Sequence, residues 1–106
     1  HSEIRYNKGM KYAVGQIVHH RRYDYRGVIV AIDENCQADD AWYGRNRTQP
    51  NRDQPWYHVL RHQGAEHYVA EENLEPDLTG ARIDHPYVDK VFPTFHNGRY
   101  YRESFN

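Results

Sequence analysis

Apolar positions in this chain fall in short β-branched runs separated by polar turns. Residues 16–20 and 27–33 carry Ile17, Val18, Val28, Ile29, Val30 and Ile32, a length and composition that predict two strands. Between them runs Arg21-Arg22-Tyr23-Asp24-Tyr25-Arg26, where Asp24 suits a turn and Gly27 suits tight backbone geometry, so the two strands are expected to pair as a hairpin-like unit. Residues 56–62 make a third strand with Trp56, His58, Leu60 and His62 on one face and Tyr57, Val59 and Arg61 on the other. Gln63-Gly64-Ala65 is a turn into a fourth strand over 66–70, whose Tyr68 and Val69 pack on the third. Glu71-Glu72-Asn73-Leu74-Glu75-Pro76 is too short for an α-helix and ends in proline, which predicts a single helical turn leading to a last short strand. Five short strands imply an all-β fold, a small barrel.

Two segments lack this pattern. Residues 34–54 have no periodicity and form a long irregular loop, in which Trp42 and Tyr43 argue for partial docking on the strands. Residues 79–106 form a C-terminal extension that places Val88, Val91, Phe92 and Phe95 at helix-like spacing, interrupted by Pro93, before an Asn97-Gly98 turn. The expected organisation is an N-terminal arm or cloning residues over 1–11, a β-barrel domain over 12–78, and an extension over 79–106 that packs on the barrel.

The chain has 106 residues, which holds one small domain and not two. Aliphatic residues are scarce, but ten tyrosines and two tryptophans supply the missing apolar area, so the core is expected to be rich in rings. One cysteine, Cys36, closes no intrachain disulfide, and no apolar stretch is long enough for a membrane span, which together predict a cytoplasmic setting. Formal net charge is −1, unevenly spread. Arginines cluster at Arg21, Arg22 and Arg26 and again at Arg45, Arg47 and Arg52, whereas Glu66, Glu71, Glu72, Glu75 and Asp77 form an acidic stretch.

Catalysis finds little to work with. The only serines, Ser2 and Ser104, lie near the ends, Cys36 stands in no nucleophile motif, and the adjacent Asp39 and Asp40 read as a solvated turn. His58 and His62 lie four apart on a predicted strand, hence about 13 Å from each other and beyond one coordination sphere. No metal site and no cofactor is expected.

Three blocks together carry a resemblance: Val14-Gly15-Gln16-Ile17-Val18-His19-His20 running on to Tyr25-Arg26-Gly27-Val28-Ile29-Val30, then Trp56-Tyr57-His58-Val59-Leu60, then Tyr68-Val69-Ala70-Glu71-Glu72-Asn73-Leu74. In order and spacing this resembles the YccV-like, hemimethylated-DNA-binding family typified by the heat-shock protein HspQ, over roughly residues 12–78. The resemblance implies an SH3-like five-stranded barrel without catalytic activity, and either of two roles. One is binding DNA methylated on one strand. The other is a specificity factor for protein degradation, serving Lon protease or, in the version of this domain joined to an F-box protein, substrate recognition for ubiquitination.

For DNA the phosphate-neutralising candidates are Arg21, Arg22, Arg26, Arg45, Arg47 and Arg52, joined by His19 and His20 below neutral pH, with Tyr23 as an apolar contact in the groove. For a protein partner the candidates are the ring pair Trp42 and Tyr43 and the acidic pair Glu71 and Glu72. Trp56, Tyr57 and Tyr68 are expected in the core.

Overall fold

A computed structural model describes residues 9–105; residues 1–8, most of the expected N-terminal arm, and Asn106 lie outside the described residues. Strands β1 (Ile17–His20), β2 (Arg26–Asp33), β3 (Trp56–Arg61), β4 (Glu66–Ala70) and β5 (Leu74–Pro76) form one antiparallel sheet in the order β4-β3-β2-β1-β5. Between β4 and β5 the chain makes a single 3₁₀ turn, Glu71–Asn73. The all-β class and the five strands of this sheet match the sequence reading, and the C-terminal segment adds a separate two-stranded sheet. The ladder is open, however: among the described residues no pairing joins β4 to β5, and beside β4 the Tyr25 and His67 rings lie 5.0 Å apart.

Both faces of the sheet are covered, which explains why neither face of β3 is purely apolar or polar. On the inner face Tyr57 and Val59 pack with Val18, Ile29, Val69 and Leu74. On the outer face Leu60 joins Ile17 and Val28 beneath Ile83, Val88, Phe92 and Tyr100 from the C-terminal segment. Trp56, also on the outer face, joins Ala70 and Cys36 beneath Trp42 and Tyr43. Trp56 and Tyr57 are fully buried, and each such side chain contributes about 1.5–3 kcal/mol relative to exposure. A register shift between Ile29 and Ala31 marks a bulge in β2, while alternation already sends Val28 to one face and Ile29 to the other.

The long loop is less irregular than its composition predicts. It holds helix α1 (Asp40–Arg45), started by Asp39, whose carboxylate accepts from the Trp42 N–H at 2.8 Å. Asp39 is therefore a helix cap and not merely a solvated turn residue. In the C-terminal segment the helix-like spacing yields one turn only, α2 (Val88–Val91), because Pro93 ends it. A hairpin follows, β6 (Thr94–His96) and β7 (Arg99–Tyr101), through Asn97-Gly98, both at positive φ. This segment is tied to the sheet at Gly15, which has φ +91°; the Tyr100 N–H donates to its carbonyl at 2.9 Å, and a Cβ there would lie 2.0 Å from the Tyr100 oxygen.

Candidate functional site

The turn between β1 and β2 is organised around His20. Its Nδ1 accepts from the backbone N–H groups of Arg22 (3.1 Å) and Tyr23 (3.0 Å), which requires that nitrogen to be unprotonated. The ring is buried, and burial, together with nearby His67, lowers its pKa to about 4. His20 is thus neutral at pH 7. It does not supply the cationic charge expected of it; it shapes the turn that carries Arg22 and Tyr23. Asp24 completes the turn at φ +56°, a conformation a short carboxylate side chain tolerates.

A column of rings crosses this rim. Tyr23 stacks on His20 (centroids 4.7 Å, 21° between planes), His20 meets Tyr25 at 5.0 Å, and Tyr25 meets His67 at 5.0 Å. Guanidinium groups sit over both tyrosines: Arg47 is 5.2 Å from the Tyr23 centroid and Arg61 is 4.5 Å from that of Tyr25. Tyr25 is buried enough that its pKa is pushed up to about 12, although Arg61 opposes the rise. The cleft between this turn, β4 and residues 46–50 holds about 60 Å³, far below the roughly 300 Å³ at which drug-sized ligand pockets begin. The rim is a surface for contact and not a pocket.

The six clustered arginines divide into two groups. Arg26 is bound to Asp77 through Nε (3.0 Å) and Nη2 (3.2 Å) and also donates to the Ala81 carbonyl, so it fastens the start of β2 to the chain after β5. Arg52 pairs with Asp40 at 3.0 Å, donates to the Ala38 carbonyl and lies over Tyr43, holding the loop to itself. Arg21, Arg22, Arg45 and Arg47 are exposed, and of these Arg21 makes only a 3.3 Å bond to the Glu72 carbonyl. The tyrosine–guanidinium contact at Tyr23 brings the second cluster, 24 residues downstream, against the first.

His19 faces the other way from His20. Its Nε2 meets Asp24 at 2.7 Å and its Nδ1 meets Glu75 at 2.8 Å, and these hydrogen bonds, Asp24 first, raise its pKa despite partial burial. Any charge it gains is met on the spot by two carboxylates. At Asp77 burial acts to raise the pKa, but hydrogen bonds from Arg26 and Thr79 prevail and hold the carboxyl below its usual range.

The four residues considered for protein contact are dispersed. Trp42 is half-buried against Trp56 (6.1 Å) and Tyr68 (5.6 Å), while the Tyr43 hydroxyl donates to the Pro50 carbonyl at 2.6 Å. Glu71 accepts from the Tyr57 hydroxyl (2.6 Å) and the Lys11 N–H (2.9 Å); burial and then this carboxylate raise the Tyr57 pKa. Glu72 is exposed and accepts from Gln54 at 2.7 Å. Arg61 and His67 escaped the sequence reading because they lie outside the arginine clusters, and Tyr25, although inside the first cluster, is set apart only by its burial against His20 and His67. A Cβ at Gly64 would lie 2.6 Å from Arg61 Cδ, so the arginine stem passes close over this glycine in the turn.

A five-stranded antiparallel sheet with covered faces and a rim of stacked rings and guanidinium groups defines a small all-β domain. The chain belongs to the YccV-like family: residues 10–99 match the family described as hemimethylated DNA-binding protein YccV like. It is also similar to F-box only protein 21 of Pongo abelii and of Homo sapiens, 34% identical over 92 residues in each case, and to that of Mus musculus at 33%. These matches cover 84% of this chain and 15% of each relative, so the chain spans about 15% of the length of these relatives.

Proposed function

We propose that this chain is a non-enzymatic module that docks on duplex DNA through the rim joining the β1–β2 turn to residues 45–47. Arg21, Arg22, Arg45 and Arg47 neutralise phosphates, and Tyr23 meets the groove where a methyl group projects. The observation that supports this reading is the 5.2 Å approach of Arg47 to Tyr23, which concentrates exposed cations from two distant segments on one rim. The family description supports a duplex methylated on one strand as the ligand. Fluorescence anisotropy with unmethylated, singly methylated and doubly methylated duplexes at several salt concentrations tests it. Four phosphate contacts give a slope of log affinity against log salt of about −3.6, and the double variant Arg22→Gln/Arg47→Gln reduces it by about 1.8. A slope near zero in the parent chain defeats the proposal.

A second reading is an adaptor for protein degradation, contacting a partner through Trp42 and Glu72. It is favoured by the similarity to F-box only protein 21 and by a net charge of only −1. Saturable binding to Lon protease or to a ubiquitin-ligase component, together with equal weak affinity for all three duplexes, selects this reading over the first.

A further inference from the structure

At the β4 edge of the sheet an open pocket of about 310 Å³ is lined by Trp42, Asn46, Glu66, His67 and Tyr68. Glu66 and Tyr68 lie two apart on β4 and so share the outer face. Contacts run across that face without a break. Glu66 Oε2 lies 3.4 Å from His58 Nδ1, the His58 ring 4.6 Å from that of Tyr68, and the Tyr68 ring 5.6 Å from that of Trp42, with 63° between the last two planes. The Tyr68 hydroxyl donates to Asp33 at 2.6 Å, which leaves its ring as a wall. Among the described residues no lysine or arginine lines the pocket. An exposed carboxylate beside two angled rings attracts a cation and repels a phosphate, the reverse of the arginine rim.

The backbone beside this pocket is an open strand edge. The Arg61 N–H donates to the Ala65 carbonyl and the Glu71 N–H to the Pro55 carbonyl, so by alternation residues 65, 67, 69 and 71 turn their peptide groups toward β3, while Glu66, Tyr68 and Ala70 turn theirs away. Ala70 is buried beside Thr48 and Pro50, so the accessible stretch is Glu66 to Tyr68. The opposite edge of the sheet is closed. Pro76 has no N–H, the Leu74 N–H donates to the Glu71 carbonyl, and the Leu74 carbonyl accepts from the Tyr12 hydroxyl at 3.0 Å.

We propose that this pocket holds an arginine side chain of an extended partner peptide whose backbone pairs along β4. In strand addition, a peptide residue opposite Glu66 or Tyr68 points its side chain to the same face, toward the Glu66 carboxylate and the Trp42 and Tyr68 rings, and its backbone meets the outward peptide groups. A guanidinium answers both features of the pocket, since its fork suits a carboxylate and its plane stacks on rings. The inference goes beyond both readings above: it needs neither DNA nor a component of protein degradation, and it takes only Trp42 from the adaptor reading.

The test is a titration of the 106-residue chain with a short blocked peptide of alternating threonine and valine that carries one central arginine. Nitrogen-15 NMR follows the Trp42 indole N–H and the Glu66 and Tyr68 amides. Saturable shifts at all three are expected, with a Kd of about 0.1–1 mM. Citrulline in place of the arginine, which keeps its shape and removes its charge, and Glu66→Gln, at an exposed side chain, each weaken binding about fivefold. Methylating the backbone nitrogen of the arginine, which deletes the pairing donor and keeps the side chain, has a similar effect. No saturable shift with the arginine peptide, or affinity unchanged by citrulline, by Glu66→Gln or by the methylation, overturns the proposal. Equal binding of the corresponding lysine peptide overturns the choice of a guanidinium. Trp42→Leu removes one wall and weakens binding in the same way; where lost amide dispersion shows that it is unfolded, Glu66→Gln and the peptide variants carry the decision. Anisotropy with the singly methylated duplex is expected to be unchanged in Glu66→Gln, so peptide binding and duplex binding stand or fall separately.

Discussion

His19 and His20 are neighbours on β1 with opposite electrostatics, because strand side chains alternate between faces. The outward ring meets two carboxylates and its pKa rises, whereas the inward ring is desolvated and its pKa falls to about 4. The sign of each effect on stability follows by linkage. Unfolded chains protonate at His20 below about pH 6.5 while the fold resists until about pH 4, so its contribution is complete above pH 6.5 and roughly 3 kcal/mol is lost on descent through that window. His67, also lowered by burial, acts in the same direction; His19 acts oppositely, its contribution present at low pH and lost as pH rises through its elevated pKa. Thermal unfolding followed from pH 7.5 to pH 4 is expected to show a falling midpoint. The fall is smaller in His20→Asn, whose amide oxygen accepts the same two N–H groups without titrating, and His20→Ala loses about 1–3 kcal/mol at pH 7.5 by orphaning them.

Among the elements, the 34–55 segment and the C-terminal segment both exist to cover one outer face. Helix α1 has only six residues and no buried ones, so its stability depends on its cap and on Trp42. Asp39→Ala is expected to cost about 1 kcal/mol locally and to raise proteolytic cleavage in this loop while the strands keep their hydrogen-exchange protection. The C-terminal cover is more demanding. Phe92 is buried among Ile83, Val88 and Tyr100, and Phe92→Ala is expected to lower stability by about 3–5 kcal/mol in chemical unfolding. The strands were legible because β-branched runs and period-two alternation are local signals. α1 was not, since the six residues Asp40–Arg45 are too few to show a periodicity and the helix is stabilised by docking Trp42 on Trp56 and Tyr68.

For the molecule as a whole, charge arrangement matters more than net charge. Arg26 belongs to a cationic cluster in sequence, yet in space it ties β2 to Asp77 and Ala81 with a half-buried double hydrogen bond. Arg26→Gln is therefore expected to cost about 3 kcal/mol in stability, read by chemical unfolding, and to leave the salt slope of duplex binding unchanged. Arg22→Gln/Arg47→Gln does the converse. The chain by itself determined the all-β class, the strand positions, the turn at Asp24 and the family, because each is written in residue type and short-range spacing. Only the tertiary structure decided which arginines are free. Pairing partners such as Asp77 for Arg26 lie 51 residues away, and the ring column, with Arg47 and Arg61 at its tyrosines, is assembled from four separate segments. Local sequence encodes backbone preference; the pairing of charges depends on which distant side chains the sheet order brings within hydrogen-bond reach.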